Sequence, residues 1–325
     1  MFRHIVLFSM LFVRYSLPYV FPVRTRLFHV KEYHPHHENT QKLISISPGG
    51  FKGFYMMGIV TFLKETYDLS DYIFSGASAG SWNAILCTYK GNLTDLITKV
   101  IGNKPTLGKN DSIQDFEQML KLRILSHTKD SDFDLSRVFI GVTTLRHFGK
   151  DSSEATNKRA LDHLPPNDVL RTSNDGGQSP EKFGPNLTPE VASLPEKFEQ
   201  RTVANSTGTF IKTSIFSNFV NLEDALNCCI SSSHIPLITG GFINKYKDSY
   251  AFDGGFSHYP YYTNIQPTLH ITPGMWEPKQ NKSWCNIEDY TSLLSKGKYN
   301  FHDLFRQGYE DTKKNREKMD KLFLP

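Results

Sequence analysis

One serine is flanked by glycines at a point where a strand-like run gives way to a helical pattern. Apolar residues 72–74 lead into Gly76-Ala77-Ser78-Ala79-Gly80, and helical spacing starts directly afterwards. On such a strand-to-helix turn the serine hydroxyl is pushed out of the sheet, beside the free N–H groups of the following helix. Gly76 and Gly80 relieve the crowding that the turn imposes. Ser78 is therefore a candidate nucleophile, although the same five-residue pattern also occurs by chance in loops.

A second glycine-rich turn precedes the serine. Pro48-Gly49-Gly50-Phe51-Lys52-Gly53 lies between an alternating, β-branched run at residues 42–47 and a helical pattern at residues 54–65. Glycines let backbone N–H groups face outward as a nest for negative charge. The spacing matches neither the dinucleotide-binding pattern nor the Walker pattern, so it does not favour a nucleotide site. Ester hydrolysis through a serine needs donors for the developing oxyanion, and Gly49, Gly50 and Phe51 are the candidates.

A base for the serine is the third requirement, and the late part of the chain offers two solutions. Asp253-Gly254-Gly255 places a carboxylate at the end of a short strand, on a glycine turn. Aspartate is a poor base at its free pKa of about 3.9, but a desolvated carboxylate beside the serine would be a stronger one. His258 and His270 also come late, so a Ser-His-Asp triad on the α/β-hydrolase fold stays open on chain order alone.

Strands alternate with helices along the chain. Further strands are predicted at residues 137–145, 209–216, 250–252 and 268–272, and further helices at residues 222–230 and from residue 300 onward. Residues 92–134 have the pattern of helices and loops with mixed charge. Such alternation predicts an α/β fold with a mainly parallel sheet covered by helices on both faces.

Composition excludes several classes of protein. The 325 residues are 22% charged and 38% hydrophobic, which is typical of a globular chain and neither disordered nor fibrous. A net charge of +4 is far short of a nucleic-acid-binding signature. The 4 cysteines form no CxxC pair and are expected to be free core thiols. The histidine cluster at residues 29–37 is interpreted as part of a solvated polar tail, so no metal site is predicted there.

The three motifs, in this order, closely resemble the patatin-like phospholipase family. The family pattern is a Gly-Gly-Gly-x-Arg/Lys-Gly oxyanion loop, a Gly-x-Ser-x-Gly nucleophile turn and an Asp-Gly-Gly/Ala motif carrying the base. The resemblance covers about residues 42–275 and extends to Phe54-Tyr55-x-x-Gly58 and to Ser233-x-Ile235-Pro236-Leu237. Besides Ser78, Asp253 and the oxyanion candidates Gly49 and Gly50, the positions that match the family motifs are Lys52, Gly53, Gly76, Gly80, Gly254 and Gly255.

The resemblance implies a three-layer α/β/α sandwich and a Ser78–Asp253 dyad without a catalytic histidine, a metal or a cofactor. It also implies hydrolysis of acyl esters of phospholipids or neutral glycerolipids at a membrane or lipid-droplet surface, with no nucleic-acid partner. Pro48 departs from the pattern, because it replaces the first glycine and has no N–H. The alternatives are a catalytically silent lipid-binding relative and a Ser-His-Asp esterase. Oligomeric state is left open.

Two segments are expected to lie outside the regular domain. Residues 1–40 are interpreted as a leader or surface-associating segment, followed by the acyl hydrolase domain at residues 41–325. The apolar stretch 5–13 is too short to span a bilayer and is similar to the start of a signal peptide. Peripheral membrane contact from the cytoplasm is favoured, and a secretory route is left open. Residues 149–200 are rich in Pro, Gly and Asn and are expected to form a polar insertion.

Overall fold

The computed structural model describes residues 41–102, 106–108, 110–146, 197–204, 210–257, 260–277 and 292–324. The predicted leader at residues 1–40, residues 149–196 of the predicted insertion, Cys285 and His258 lie outside these ranges. Within them the chain forms eight strands and seven α-helices.

The strands and helices alternate in the first half of the chain much as the sequence predicts. The strands are β1 (Lys42–Ile46), β2 (Tyr72–Ala77), β3 (Val138–Arg146), β4 (Lys197–Ala204), β5 (Phe210–Phe216), β6 (Asn244–Tyr246), β7 (Ser249–Phe252) and β8 (Pro267–Ile271). The helices are α1 (Gly53–Thr66), α2 (Ala79–Cys87), α3 (Leu93–Ile101), α4 (Ile113–His127), α5 (Leu222–Ser232), α6 (Phe301–Lys314) and α7 (Arg316–Phe323).

Helix starts follow from side chains that satisfy the first backbone N–H groups. A polar residue precedes each of four helices, and its side chain accepts a hydrogen bond from an N–H group of the first turn. These residues are Asn92 before α3, Ser112 before α4, Asn221 before α5 and Asn300 before α6. No helix in the described ranges is both long enough and apolar enough to cross a membrane.

The eight described strands form one mixed sheet whose centre is parallel. Strands β8, β1, β2 and β3 are neighbours in that order and pair in parallel. Strand β5 pairs antiparallel with β3, and β4 pairs antiparallel with β5 at the edge. Helices flank this sheet, which confirms the predicted three-layer α/β fold with a mainly parallel core. The antiparallel direction of β5 and β7 was not readable from local pattern, because each strand looks alike in either direction.

The edge of β3 brings two distant parts of the chain together. Ala77, the last residue of β2, pairs with Gly141, and Phe252, the last residue of β7, pairs with Thr143. Because β5 pairs along the other edge of β3, strands β2 and β7 share one edge and run towards each other. The residue after each strand end is therefore delivered to the same point in the sheet.

Helix α1 is held against the C-terminal helix α6 by a close backbone approach. A Cβ atom on Gly58 would meet the carbonyl group of Phe305, and one on Gly308 would meet the carbonyl group of Tyr55. Next to this crossing the rings of Phe54 and Phe301 stack with centroids 4.3 Å apart. The predicted amphipathic C-terminal helix thus packs on the domain, and it is divided at Asn315 into α6 and α7.

The predicted insertion and the predicted free thiols each lie only partly within the described residues. The last four residues of the predicted insertion, 197–200, begin strand β4 and pair with β5. Their charged residues hid the strand, because Lys and Glu are depleted in strands and do not predict one. Cys87, Cys228 and Cys229 are buried free thiols.

Candidate active site

Ser78 sits on a strained turn between β2 and α2. Its φ of 53° lies in the left-handed region, where a residue with a side chain is strained by about 1–3 kcal/mol. The flanking glycines are required by space rather than by their own torsion angles. A Cβ atom on Gly76 would meet the carbonyl group of Gly80, and one on Gly80 would meet the carbonyl group of Ile46. The turn therefore holds the Ser78 hydroxyl at the carboxyl end of β2, with 5% of the residue exposed.

The Ser78 hydroxyl and the Asp253 carboxylate are in direct contact. Ser78 Oγ donates a hydrogen bond to Asp253 Oδ2 at 2.6 Å, and Asp253 is fully buried. The second carboxylate oxygen, Oδ1, accepts the N–H of Gly255 at 2.7 Å. The Asp253 backbone is also fixed, since its N–H donates to His234 O at 2.7 Å and its carbonyl accepts Thr143 Oγ1 at 2.9 Å. One hydrogen bond to the carboxylate and two to the backbone of Asp253 thus fix the orientation of the carboxylate towards the serine.

Gly254 allows the Asp253 turn to lie against the sheet. A Cβ atom at this position would meet the carbonyl group of Gly141 and the side chain of Ala77. These are the two residues that pair where β2 ends. The glycine after the aspartate therefore permits the close approach that puts the carboxylate beside the serine.

The glycine-rich turn forms one wall of the same site. Gly50 has a φ of 52°, and Gly50 and Phe51 line a pocket that also contains Ser78. Gly53 lies against the start of α2, where a Cβ atom would come within 2.7 Å of the Ala79 side chain. Lys52 ends the turn, and its N–H donates to the carbonyl of Gly49 at 3.0 Å.

One of the three predicted oxyanion donors is already engaged. The N–H of Phe51 donates to Ser292 Oγ at 3.3 Å, and Ser292 is buried. Ser292 lies far along the chain, and no local pattern pointed to it. Gly49 and Gly50 provide the remaining N–H groups of the predicted set, beside the first N–H groups of α2, which have no partner within their helix.

The pocket beside Ser78 is mainly apolar. Its wall comes from α1 to α4, and its apolar side chains include Phe54, Met57, Trp82, Leu86, Ile97 and Phe116. Burial of a methylene group in such surroundings contributes about 0.8 kcal/mol. The arrangement can therefore hold an alkyl chain with its reacting end at the serine.

Glu117 is a site residue that sequence reasoning missed. It lines the pocket from α4 with 8% of the residue exposed. Burial and the nearby Asp253 carboxylate raise the pKa of Glu117 well above its ordinary value of 4.5, and a hydrogen bond with Ser233 opposes them only in part. In the sequence Glu117 shares a helix face with apolar Ile113 and Phe116, but that pattern alone does not place a carboxyl group in a pocket.

Two consecutive serines at the end of α5 also contact the site, and sequence reasoning gave neither a role there, although Ser233 belongs to the stretch that extends the family resemblance. Ser232 Oγ accepts the N–H of Ser78 at 2.8 Å and donates to the carbonyl of Gly141 at 2.6 Å. Ser233 Oγ accepts the indole N–H of Trp82 at 3.2 Å. In the sequence these residues look like an ordinary helix end. Their role depends on contacts with β3 and α2, which no local pattern encodes.

His234 and His270, two histidines in the late part of the domain, differ in burial and in hydrogen bonding. His270 Nδ1 hydrogen bonds with Ser45 Oγ at 2.7 Å, and burial lowers the pKa of His270. His234 is buried, burial lowers its pKa, and its Nε2 has no hydrogen-bond partner among the described residues. His258 lies outside the described residues. Within the described ranges, no group of three or more His, Cys, Asp or Glu side chains could hold a metal ion.

Comparison with protein families assigns most of this domain. The sequence profile of the patatin-like phospholipase family matches residues 44–261, which is more than half of the chain. Comparison with curated proteins returned no match, and neither did comparison with solved structures. The family match supports lipid acyl hydrolysis in general as the activity. On the strength of that match, the chain belongs to the patatin-like phospholipase family.

Proposed function

We propose that this protein hydrolyses fatty-acyl esters of phospholipids or neutral glycerolipids, with Ser78 as nucleophile and Asp253 as general base. The observation that carries the proposal is the 2.6 Å hydrogen bond from Ser78 Oγ to Asp253 Oδ2. Its donor is a hydroxyl on a strained turn, and its acceptor is a fully buried carboxylate. A buried carboxylate is a stronger base than a solvated one, because desolvation disfavours its charged form.

The reaction would run in two halves. Asp253 accepts the hydroxyl proton while Ser78 Oγ bonds to the ester carbonyl carbon, which gives a tetrahedral oxyanion. The oxyanion collapses, the C–O bond to the alcohol breaks, and Asp253 returns the proton to the leaving alcohol. Water then attacks the acyl-serine, again with Asp253 as base, and releases the fatty acid and the free serine.

Backbone N–H groups would hold the oxyanion. Gly49 and Gly50 are the donors that we assign, because Pro48 has no N–H and Phe51 donates to Ser292 Oγ. Phe51 could join them only by leaving Ser292. Each such donor typically contributes roughly 3 kcal/mol to lowering the barrier.

The apolar pocket supports an acyl substrate rather than a polar one. Its aromatic and aliphatic wall begins at Ser78 and continues between α1 and α4. An acyl chain in this pocket would place its ester carbonyl at the serine. The substrate would be drawn from a membrane or lipid-droplet surface, and no metal or cofactor takes part in the steps above.

The test compares four variants of the purified full chain. Asp253→Asn keeps the size of the side chain but cannot take the proton, so kcat should fall by roughly 10²–10⁴-fold with folding intact. Ser78→Ala should abolish both lipid cleavage, followed by mass-spectrometric lipid profiling, and labelling by a fluorophosphonate.

His270→Asn and His258→Gln are the matched controls for the triad alternative. Asparagine can replace the Nδ1 contact of His270 with Ser45. Both histidine variants should retain kcat. If either histidine variant lost cleavage while Asp253→Asn retained it, the mechanism would use a Ser-His-Asp triad and not the Ser78–Asp253 dyad. Absence of fluorophosphonate labelling in the wild type would favour the silent lipid-binding alternative.

A further inference from the structure

The segment between α5 and β6 exposes apolar side chains beside the pocket. Residues 236–243, which we name the apolar loop, contain no charged residue. Leu237 is 40% exposed, Phe242 is 70% exposed and Ile243 is 61% exposed. Single exposed apolar residues are ordinary on protein surfaces, but a cluster on one short loop marks a surface that contacts something apolar.

The backbone of the apolar loop holds these side chains outward. The N–H of Leu237 donates to the carbonyl of Gly241 at 3.4 Å, which brings Leu237 next to Phe242. Leu237 has a φ of 65°, a conformation that side chains with branches rarely adopt. Thr239 fastens the base of the loop, since its Oγ1 accepts the N–H of Ile235 at 2.8 Å. The exposure is thus a property of a defined turn.

The apolar loop is continuous with the candidate active site. Thr239 and Ser233 line the pocket that contains Ser78. His234, which directly precedes Ile235, accepts the N–H of Asp253 at 2.7 Å. The apolar loop therefore contributes Thr239 to the pocket wall, and it begins two residues after the residue whose carbonyl holds the backbone of Asp253.

We propose that Leu237, Phe242 and Ile243 insert into the surface of a phospholipid bilayer and seat the pocket of Ser78 on it. The inference rests on the proposed function, because the acyl ester must pass from an aggregated lipid into the pocket. Contact of the loop with the acyl region lets an alkyl chain move from lipid to pocket with little exposure to water. Exposed Lys245 lies two residues after the loop and suits the phosphate groups at the same surface.

Sedimentation with phosphatidylcholine vesicles tests the insertion. All variants carry Ser78→Ala, so binding is measured without turnover, and a failure of the hydrolase proposal leaves the result intact. The double variant Phe242→Ser and Ile243→Ser should lower the vesicle partition coefficient at least 10-fold, because two large apolar contacts are removed.

The matched control removes exposed apolar side chains elsewhere. Val220 is 59% exposed at the opposite end of α5, about 16 Å along its 11 residues. Leu324 is 54% exposed next to Phe323, whose ring packs on Tyr72 at the start of β2. The double variant Val220→Ser and Leu324→Ser should bind vesicles as the parent does. An equal loss in both double variants would overturn the proposal.

A second probe decides the matter if the loop variant fails to fold. Phe242→Trp keeps an aromatic side chain, and vesicles with brominated acyl chains should quench its fluorescence beyond the parent signal. No added quenching would overturn the proposal. A parent dimer that becomes monomeric in the loop variant, with unchanged vesicle binding, would assign the loop to a second copy and overturn it also.

Discussion

A proton on Glu117 should make the stability of this protein fall as pH rises. Burial and the Asp253 carboxylate raise the pKa of Glu117 well above 4.5 in the folded chain. In the unfolded chain the same carboxyl group is solvated and loses its proton near that ordinary value. Between the two pKa values the folded state binds one proton more than the unfolded state.

The size of the effect follows from linkage. One extra bound proton in the folded state lowers the free energy of unfolding by about 1.4 kcal/mol for each pH unit, until the folded-state pKa of Glu117 is passed. Glu117→Gln keeps the shape and an oxygen that can accept a hydrogen bond from Ser233 but removes the titration. The stability of this variant relative to wild type should therefore increase with pH, by the same amount per unit.

Urea unfolding at half-unit steps from pH 5 to pH 8 measures this difference. The control is Glu317→Gln, which changes an exposed glutamate in the first turn of α7. Its stability curve should run parallel to that of wild type. A difference between Glu117→Gln and wild type that stays constant over the whole range would mean that Glu117 is ionised in the fold, and the reasoning from burial would be wrong.

Two further predictions concern positioning and packing. Ser232→Ala leaves the N–H of Ser78 without its acceptor, so kcat should fall by roughly 10-fold at unchanged KM, whereas Ser231→Ala, which loses only a contact with Asn244, should turn over as wild type. Equal kcat values for Ser232→Ala and Ser231→Ala would refute the positioning role of Ser232. Gly308→Ala should lose about 1–3 kcal/mol of unfolding free energy in urea, because its Cβ atom would meet the Tyr55 carbonyl. Gly241→Ala, which has open space, should stay within about 0.5 kcal/mol, and similar losses in both would contradict the packing argument.

The strands and helices of the parallel core were predictable because each has its own local pattern. The turn at Ser78 and the turn at Asp253 were predictable for another reason, since glycine spacing reports backbone crowding that any such turn must avoid. That the two turns would lie together came from the family resemblance. The physical reason appears only in the structure, where β2 and β7 run towards each other along one edge of β3.

What the sequence did not predict depends on contacts between distant segments. Glu117 interrupts an apolar helix face, and only the pocket explains why a carboxyl group is there. Ser292 could not be connected with Phe51 by any pattern, because 241 residues separate them. Strand β4 has a polar, charged sequence and becomes recognisable only through its pairing with β5.

One short stretch of chain, from Ser232 to Ile243, contacts the nucleophile turn, the pocket and Asp253 of the candidate site. Ser232 holds the N–H of the nucleophile, Ser233 contributes to the pocket wall, and the carbonyl of His234 holds the backbone of Asp253. The apolar loop continues the same stretch without a break. Because these contacts are made by backbone groups and by buried hydroxyls, exposed side chains of the loop can change without moving them. A change in the loop backbone, by contrast, must displace either the pocket wall or the carboxylate. The exposed side chains of the loop can therefore vary with the lipid surface that they contact. The backbone of the loop cannot, because it is continuous with residues that line the pocket and hold Asp253.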